Sequence, residues 1–200
     1  SEAESAIKEI LEHRIFGDSG DKLIIEEFLV GEEASIFAIT DGERFVCLPA
    51  AQDHKRIGDG DTGKNTGGMG AYAPAPIITE ELLKEIETVI IKPVLDQLVK
   101  TNNRFIGCLY AGLIITESGP KVIEFNCRFG DPETQVVLPI LDGDFLDLLY
   151  SAASGNLDLN AVKYSGGCSV CVGASSKGYP DNYEKGFVIN GLEKIDDEVI

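Results

Sequence analysis

Val122-Ile123-Glu124-Phe125-Asn126-Cys127-Arg128-Phe129-Gly130-Asp131-Pro132-Glu133 is the stretch on which the reading turns. Residues 121–126 have the apolar character of a strand, and side chains along a strand alternate between its two faces. Glu124 and Asn126 therefore share a face. A carboxylate and an amide oxygen two residues apart are hard oxygen donors suited to Mg²⁺, which takes few protein ligands and keeps substrate phosphates as the rest of its shell. Mn²⁺ suits the same donors. Arg128 continues the parity if the strand extends that far, and a guanidinium there can stabilise charge on a transferring phosphoryl group. Asp131 and Glu133 suit orienting Arg128, meeting an amine, or capping a helix that opens at Thr134. Taken alone, the pattern also describes an edge strand with a polar outer face.

Working outward, residues 107–116 form an apolar strand joined to this one through the turn Ser118-Gly119-Pro120. Further upstream, residues 23–30 read as a strand ending at Gly31. Backbone groups around Glu26, with Phe28 and Leu29 as apolar walls, can read an adenine edge, and Glu33 just past the turn can accept both hydroxyls of a ribose. A second strand is expected at 34–40, then the hairpin turn Asp41-Gly42 and a returning strand at 44–48. Residues 52–76 read as a long glycine-rich loop carrying Asp53, His54, Lys55 and Arg56, then Gly67, Gly68 and Gly70. Consecutive glycines let backbone N–H groups converge on an anion, and the basic side chains favour the same ligand, so this loop is expected to bind substrate or phosphate. A lone His54 is expected to pack or hydrogen-bond rather than act as a base.

The remaining chain alternates helices and strands. Residues 1–14 have helical periodicity, with His13 on the surface. Thr79 caps a helix carrying Leu83, Ile86, Ile90, Val94 and Leu98 on one stripe, which Pro93 is expected to kink rather than end. A further helix is expected from Thr134 to about Ala153, then strands at 166–175 and 186–189. Thirty-four acidic against seventeen basic residues give a net charge of −17, a field that repels phosphate backbones and argues against nucleic acid as a partner. No run approaches the roughly 20 apolar residues of a membrane helix, and residues 1–12, acidic and helix-patterned, do not read as a signal peptide. The five cysteines are odd in number and lie in apolar runs, which fits buried thiols in a reducing, cytoplasmic compartment.

The four segments, taken in order, resemble the ATP-grasp ligases, and among them the phosphoribosylamine–glycine ligases of purine synthesis. The resemblance rests on residues 25–29, 52–56, 65–72 and 124–133 and extends to the tail at 173–180. It implies an α+β ATP-grasp fold, an antiparallel sheet flanked by helices. Residues 1–160 would be the C-terminal portion of the ATP-grasp domain, and 161–200 the start of a small β-rich C-terminal domain. It implies ATP and Mg²⁺ as cofactors, glycine and 5-phosphoribosylamine as the molecules joined, and a glycyl phosphate intermediate. Glu124 and Asn126 would hold metal, Glu26, Phe28, Leu29 and Glu33 the nucleotide, Asp53, Lys55, Arg56, Gly67, Gly68 and Gly70 substrate or phosphate, and Arg128 with Asp131 the chemistry. A parent chain fused to other purine-synthesis domains is compatible with it. Two departures stand out. Tyr110 occupies the place where many ATP-grasp enzymes carry a further metal-binding carboxylate. The family's phosphate-binding lysine and Gly-rich loop have no counterpart before Ser1, so a fragment inactive alone is expected. The competing readings are another ATP-grasp carboxylate–amine ligase and a non-catalytic nucleotide-binding or assembly module.

Overall fold

The computed structural model describes residues 1–60 and 62–195. The chain divides into two compact units, Ser1–Val30 and Gly31–Ile200.

The first unit begins with helix α1 (Glu2–Leu11). Ser1 Oγ accepts from the Glu4 amide at 3.3 Å while the Glu4 carboxylate takes the amino terminus at 2.6 Å, closing a capping box. After a short 3₁₀ turn at Gly17–Gly20 the chain is irregular. The strand expected at 23–30 does not form among the described residues, and Ile24, Ile25, Phe28 and Val30 are exposed. Apolar content alone cannot make a strand, because its N–H and C=O groups need a partner edge.

The second unit is built on a four-stranded antiparallel sheet. Strand β1 (Glu32–Thr40) turns at Asp41-Gly42 into β2 (Phe45–Cys47), as the hairpin signal requires. The expected loop at 52–76 is instead a set of short strands: β3 (Gln52–Asp53), β4 (Arg56–Gly58), β5 (Thr62–Asn65) and β6 (Gly70–Ala73). Strands β4 and β5 pair as a hairpin, and β3 pairs with β6. Their glycines and polar side chains hide the β pattern, since both faces of β5 are exposed and leave no apolar alternation. One continuous helical run follows, α2 (Glu80–Ile86), a π-turn at Glu87–Ile91 and α3 (Lys92–Lys100). Thr79 caps it by accepting from the Leu82 amide. The π-turn absorbs one extra residue ahead of Pro93, and the buried stripe moves from Ile86 and Ile90 to Ile91 and Leu95.

Strands β7 (Gly107–Thr116) and β8 (Gly119–Asn126) complete the sheet in the order β2-β1-β7-β8. Central strands β1 and β7 are buried on both faces. Ile36, Ala38, Leu109, Ala111 and Leu113 pack toward Ile86, Ile91 and Leu95, while Phe37, Ile39, Cys108 and Tyr110 pack toward Val136, Val137 and Leu148. The helix expected from Thr134 to Ala153 is broken. It comprises α4 (Thr134–Val137), a 3₁₀ turn at Leu138–Ile140, β9 (Leu141–Gly143) and α5 (Phe145–Ala153). Gly143 takes φ +109°, and Asp144 starts a new helix by accepting from the Asp147 amide at 2.9 Å, so two local signals outweigh the apolar period. Strand β10 (Val162–Tyr164) pairs with β9. Strand β11 (Ser169–Val172) pairs with β6 in a sheet of order β11-β6-β3. No strand forms at 186–189, where Phe187, Val188 and Ile189 are exposed. The residues 196–200 lie outside the described chain. All five cysteines are free, but Cys127 and Cys168 are exposed rather than buried. No helix among the described residues is long and apolar enough to cross a membrane.

Candidate active site

Register places the polar residues of three adjacent strands on one face of the sheet. Ser35 stands opposite Gly112 and Gly112 opposite Glu124, while Phe37 stands opposite Tyr110 and Tyr110 opposite Asn126. Glu33 lies two residues before Ser35 on the same face. Glycine at 112 is what allows the crossing: a Cβ there would lie 3.2 Å from the Tyr110 ring and 3.3 Å from Glu124 Cγ. Glu124 and Asn126 do share a face and touch, Asn126 Nδ2 donating to Glu124 Oε1 at 3.0 Å. The Asn126 amide oxygen and the second Glu124 oxygen take no hydrogen bond among the described residues, so the pair offers two hard oxygen donors. No group of three or more His, Cys, Asp or Glu side chains gathers around a common metal position among the described residues. The donor set fits a cation that takes most of its ligands from substrate.

Behind this pair is a buried hydrogen-bonded trio. Ser35 Oγ donates to Glu133 Oε1 at 2.9 Å, Tyr110 OH donates to the same oxygen at 3.1 Å, and the two hydroxyls lie 3.0 Å apart. Glu133 is only 3% exposed and takes no ion pair among the described residues. The Tyr110 phenol is pushed up, first by burial and then by the negative charges of Glu133 and Asp53, against the bond from Ser35. It therefore stays a donor at any ordinary pH.

Strand β3 brings Asp53 and Lys55 to the same region. Lys55 Nζ donates to Glu33 Oε2 at 2.8 Å and stands 3.8 Å from Asp53 Oδ2. The Asp53 side chain is 4% exposed. Burial pushes its carboxyl up to about 6; Lys55 opposes that rise, while Glu133 and Glu33 add to it. Lys55 is raised despite its burial, because Glu33, Asp53 and Glu124 all favour the ammonium. A concave space of about 320 Å³ is lined by Glu33, Gln52, Asp53, His54, Lys55 and Arg56 among others. A second, lined by Tyr110, Gly112 and Glu124, shares Glu33, Lys55 and Asn65 with it, so the two are contiguous.

Other expected site residues fare differently. Strand β8 ends at Asn126, short of Arg128, so the parity does not carry on; the guanidinium is exposed and donates to the Phe129 carbonyl at 2.9 Å. Asp131 is exposed and holds Gln135 Nε2 at 2.7 Å, away from the buried trio's bonds. Arg56 donates to the Gly63 carbonyl across its hairpin. The amides of the glycine run donate within the chain. The Gly67 amide donates to Tyr179 OH, Gly68 to Thr66 Oγ1 and Met69 to the His54 carbonyl. Gly68, at φ +121°, leaves 2.4 Å between a would-be Cβ and Pro132, and Gly70 leaves 2.6 Å to the Cys171 carbonyl. At Gly68 and Gly70 a side chain would collide with these neighbours. His54 packs on Tyr72 with ring centroids 5.7 Å apart, the packing role expected of it. Glu26, Phe28 and Leu29 belong to the first unit's irregular segment, with Phe28 90% exposed. Ser35 was not legible as a site residue, although a lone hydroxyl inside the apolar run 34–39 is the signal that could have marked it.

The matching family model is described as "Phosphoribosylglycinamide synthetase, ATP-grasp (A) domain" and covers residues 1–134. A phosphoribosylamine–glycine ligase of Leptospira interrogans is 53% identical over 189 residues, 94% of this chain and 44% of that protein. A bifunctional purine biosynthetic protein of Pichia angusta is 52% identical over 97% of this chain and 25% of its own length. The crystal structure of a phosphoribosylamine–glycine ligase from Thermotoga maritima superimposes with a TM-score of 0.70 at 36% identity, covering 80% of this chain and 40% of that one. The chain thus spans less than half the length of these relatives. With two thirds of its residues inside the family model and an antiparallel sheet flanked by helices to match, the chain belongs to the phosphoribosylglycinamide synthetase ATP-grasp (A) domain family.

Proposed function

We propose that the chain forms part of an ATP-dependent ligase that joins glycine to 5-phosphoribosylamine, giving glycinamide ribonucleotide, ADP and phosphate. The observation that carries this is the touching Glu124–Asn126 pair on one face of the sheet, in a chain of this family. A carboxylate is a poor electrophile toward an amine, and phosphorylation by ATP converts it to an acyl phosphate with a good leaving group. Glu124 and Asn126 would hold Mg²⁺, or Mn²⁺ in its place, which neutralises charge on the β- and γ-phosphates. Lys55 places a fixed ammonium between the two concave spaces, where an anionic substrate group gains from it. Arg128 is exposed and free to turn toward a phosphoryl group, with Asp131 beside it. Glu33 keeps one carboxylate oxygen for ribose hydroxyls, and Glu26, Phe28 and Leu29 would line the adenine. The proposal keeps 161–200 as the opening of a β-rich domain, although its strand β11 pairs with β6 within the same compact unit. The bifunctional relative makes fusion to other purine-synthesis domains part of the proposal, and a cytoplasmic setting follows from the metabolites.

ADP release measured in an enzyme containing these 200 residues tests the reading. It should require glycine and 5-phosphoribosylamine together with a divalent cation. Turnover supported equally by other carboxylate–amine pairs would assign a different ligase of this fold, and ATP binding without any turnover would assign a non-catalytic module.

A further inference from the structure

Strands β4 and β5 form a hairpin beside the candidate site that its own packing holds poorly. A two-stranded hairpin by itself is marginal in water. This one has an irregular register between Arg56 and Gly58, and both faces of β5 are exposed. Yet the residues at its base belong to the site. Arg56 lines the space of about 320 Å³, and Asn65, its cross-strand partner, lines both contiguous spaces. Side chains on the rim of a site act only if something fixes their place, so the ties that reach this hairpin from outside matter.

The tail beyond β11 supplies such ties. It is anchored where β11 pairs with β6 and where the Gly173 amide donates to the Met69 carbonyl at 2.7 Å. A turn follows, in which the Tyr179 amide donates to the Ser176 carbonyl at 3.1 Å and the Asp181 amide to the Gly178 carbonyl at 3.0 Å. Two side chains of this turn reach the hairpin and the residues just after it. The Asp181 carboxylate accepts from Lys64 Nζ on both oxygens at 2.7 Å, and Tyr179 OH accepts from the Gly67 amide at 3.3 Å. Tyr183 backs the Tyr179 ring edge-on, with centroids 5.5 Å apart. Alternation along β5 lets Lys64 turn to the tail while Asn65, the next residue, turns to the site. Lys64 and Asp181 are both exposed, and exposed ion pairs are weak. Such a tie steadies a hairpin without fastening it permanently.

We propose that Tyr179 and Asp181 are positioning residues that latch the β4–β5 hairpin against the candidate site and so keep Arg56 and Asn65 on its rim. This deepens the ligase reading and rests on it. Latched, the hairpin narrows the mouth of the contiguous spaces; released, it admits and frees small molecules. Neither latch residue lines those spaces, so their effect falls on substrate capture rather than on the chemical step.

A charge swap in an enzyme containing these 200 residues provides the test. Asp181→Lys sets a second ammonium against Lys64, and should lower kcat/KM for glycine or for 5-phosphoribosylamine by about threefold or more while kcat stays within about twofold. Combining it with Lys64→Asp restores the pair in reverse and should bring kcat/KM back to within about twofold of the unaltered enzyme, which general damage to the fold would not allow. Hydrogen exchange without substrate gives a second reading: amides of residues 56–67 should exchange faster in Asp181→Lys and in Tyr179→Phe, with the thermal midpoint unchanged. Kinetics unchanged for both substrates in Asp181→Lys would overturn the inference, as would a double variant no better than the single one. An unaltered enzyme with no glycine-dependent turnover would overturn the ligase reading and the positioning role with it, while the exchange comparison would still decide whether the tail holds the hairpin.

Discussion

Asp53 and Glu124 are both carboxylates at the site, and their environments give them opposite tasks. The Asp53 carboxyl is held up near 6 by burial, against an ordinary value of 3.8. The folded protein thus binds this proton more tightly than the unfolded chain does. Its contribution to stability is greatest below about pH 4, falls as pH rises toward 6 and stays low above that. Two pKa steps correspond to about 3 kcal/mol, and relaxation and water in the cleft reduce that to about 1–3 kcal/mol. Asp53→Asn should therefore stabilise the protein at pH 7 by that amount and have little effect at pH 4, as read by urea denaturation at both values. Equal effects at the two pH values would show that Asp53 does not titrate as described. Glu124 is exposed, and its hydrogen-bond partner among the described residues is Asn126. Glu124→Gln preserves shape while removing the charge that balances a divalent cation, so turnover should fall by about two orders of magnitude or more with thermal stability nearly unchanged. Near-normal turnover at limiting Mg²⁺ would contradict its role.

Elements are held by contacts that only the fold supplies. Asp41 closes the β1–β2 hairpin, its Oδ1 accepting from the Glu43 and Arg44 amides while Oδ2 accepts from the Arg44 guanidinium and the Leu157 amide. Burial alone would raise this carboxyl, but those donors hold it well below the usual carboxylate range. Its stabilisation is present above about pH 4 and is lost as pH falls. Asp41→Asn should cost about 2–4 kcal/mol at pH 7, with the gap between variant and parent narrowing in acid. A gap that does not change with pH would contradict the account. Gly68→Ala should cost about 1–3 kcal/mol, because it combines a left-handed backbone with a clash at Pro132. An unchanged denaturation midpoint would show that this loop is not locked. Asp41-Gly42 is legible as a turn because its chemistry is local, and the strand at 107–116 is legible with its full bounds because both its faces are apolar. The bond from Leu157 to Asp41 spans 116 positions and leaves no local trace. The same limit hides the strands at 52–73, whose partners are each other and β11. At the site, the Glu124–Asn126 pair follows from strand alternation alone. The Ser35–Tyr110–Glu133 trio joins three distant segments; Glu133 carried an ambiguous signal and Tyr110 stood out only against the family pattern.

On the scale of the whole molecule, a chain with net charge −17 must concentrate what positive charge it has where anions are handled. Lys55 is placed that way, set among Glu33, Asp53 and Glu124 and between two contiguous spaces. On the proposed reading Glu124 and Asn126 would supply metal donors, with the Lys55 ammonium near them for an anionic substrate group. The central claim is therefore that glycine is phosphorylated on its carboxylate before an amine attacks. Glycine labelled with ¹⁸O in both carboxylate oxygens follows that step directly, through mass analysis of the phosphate released by an enzyme containing these residues. The account predicts one ¹⁸O in each phosphate, carried over when the amine displaces it from the acyl carbon. Phosphate released without label would mean that the carboxylate never received the phosphoryl group, and would contradict the account.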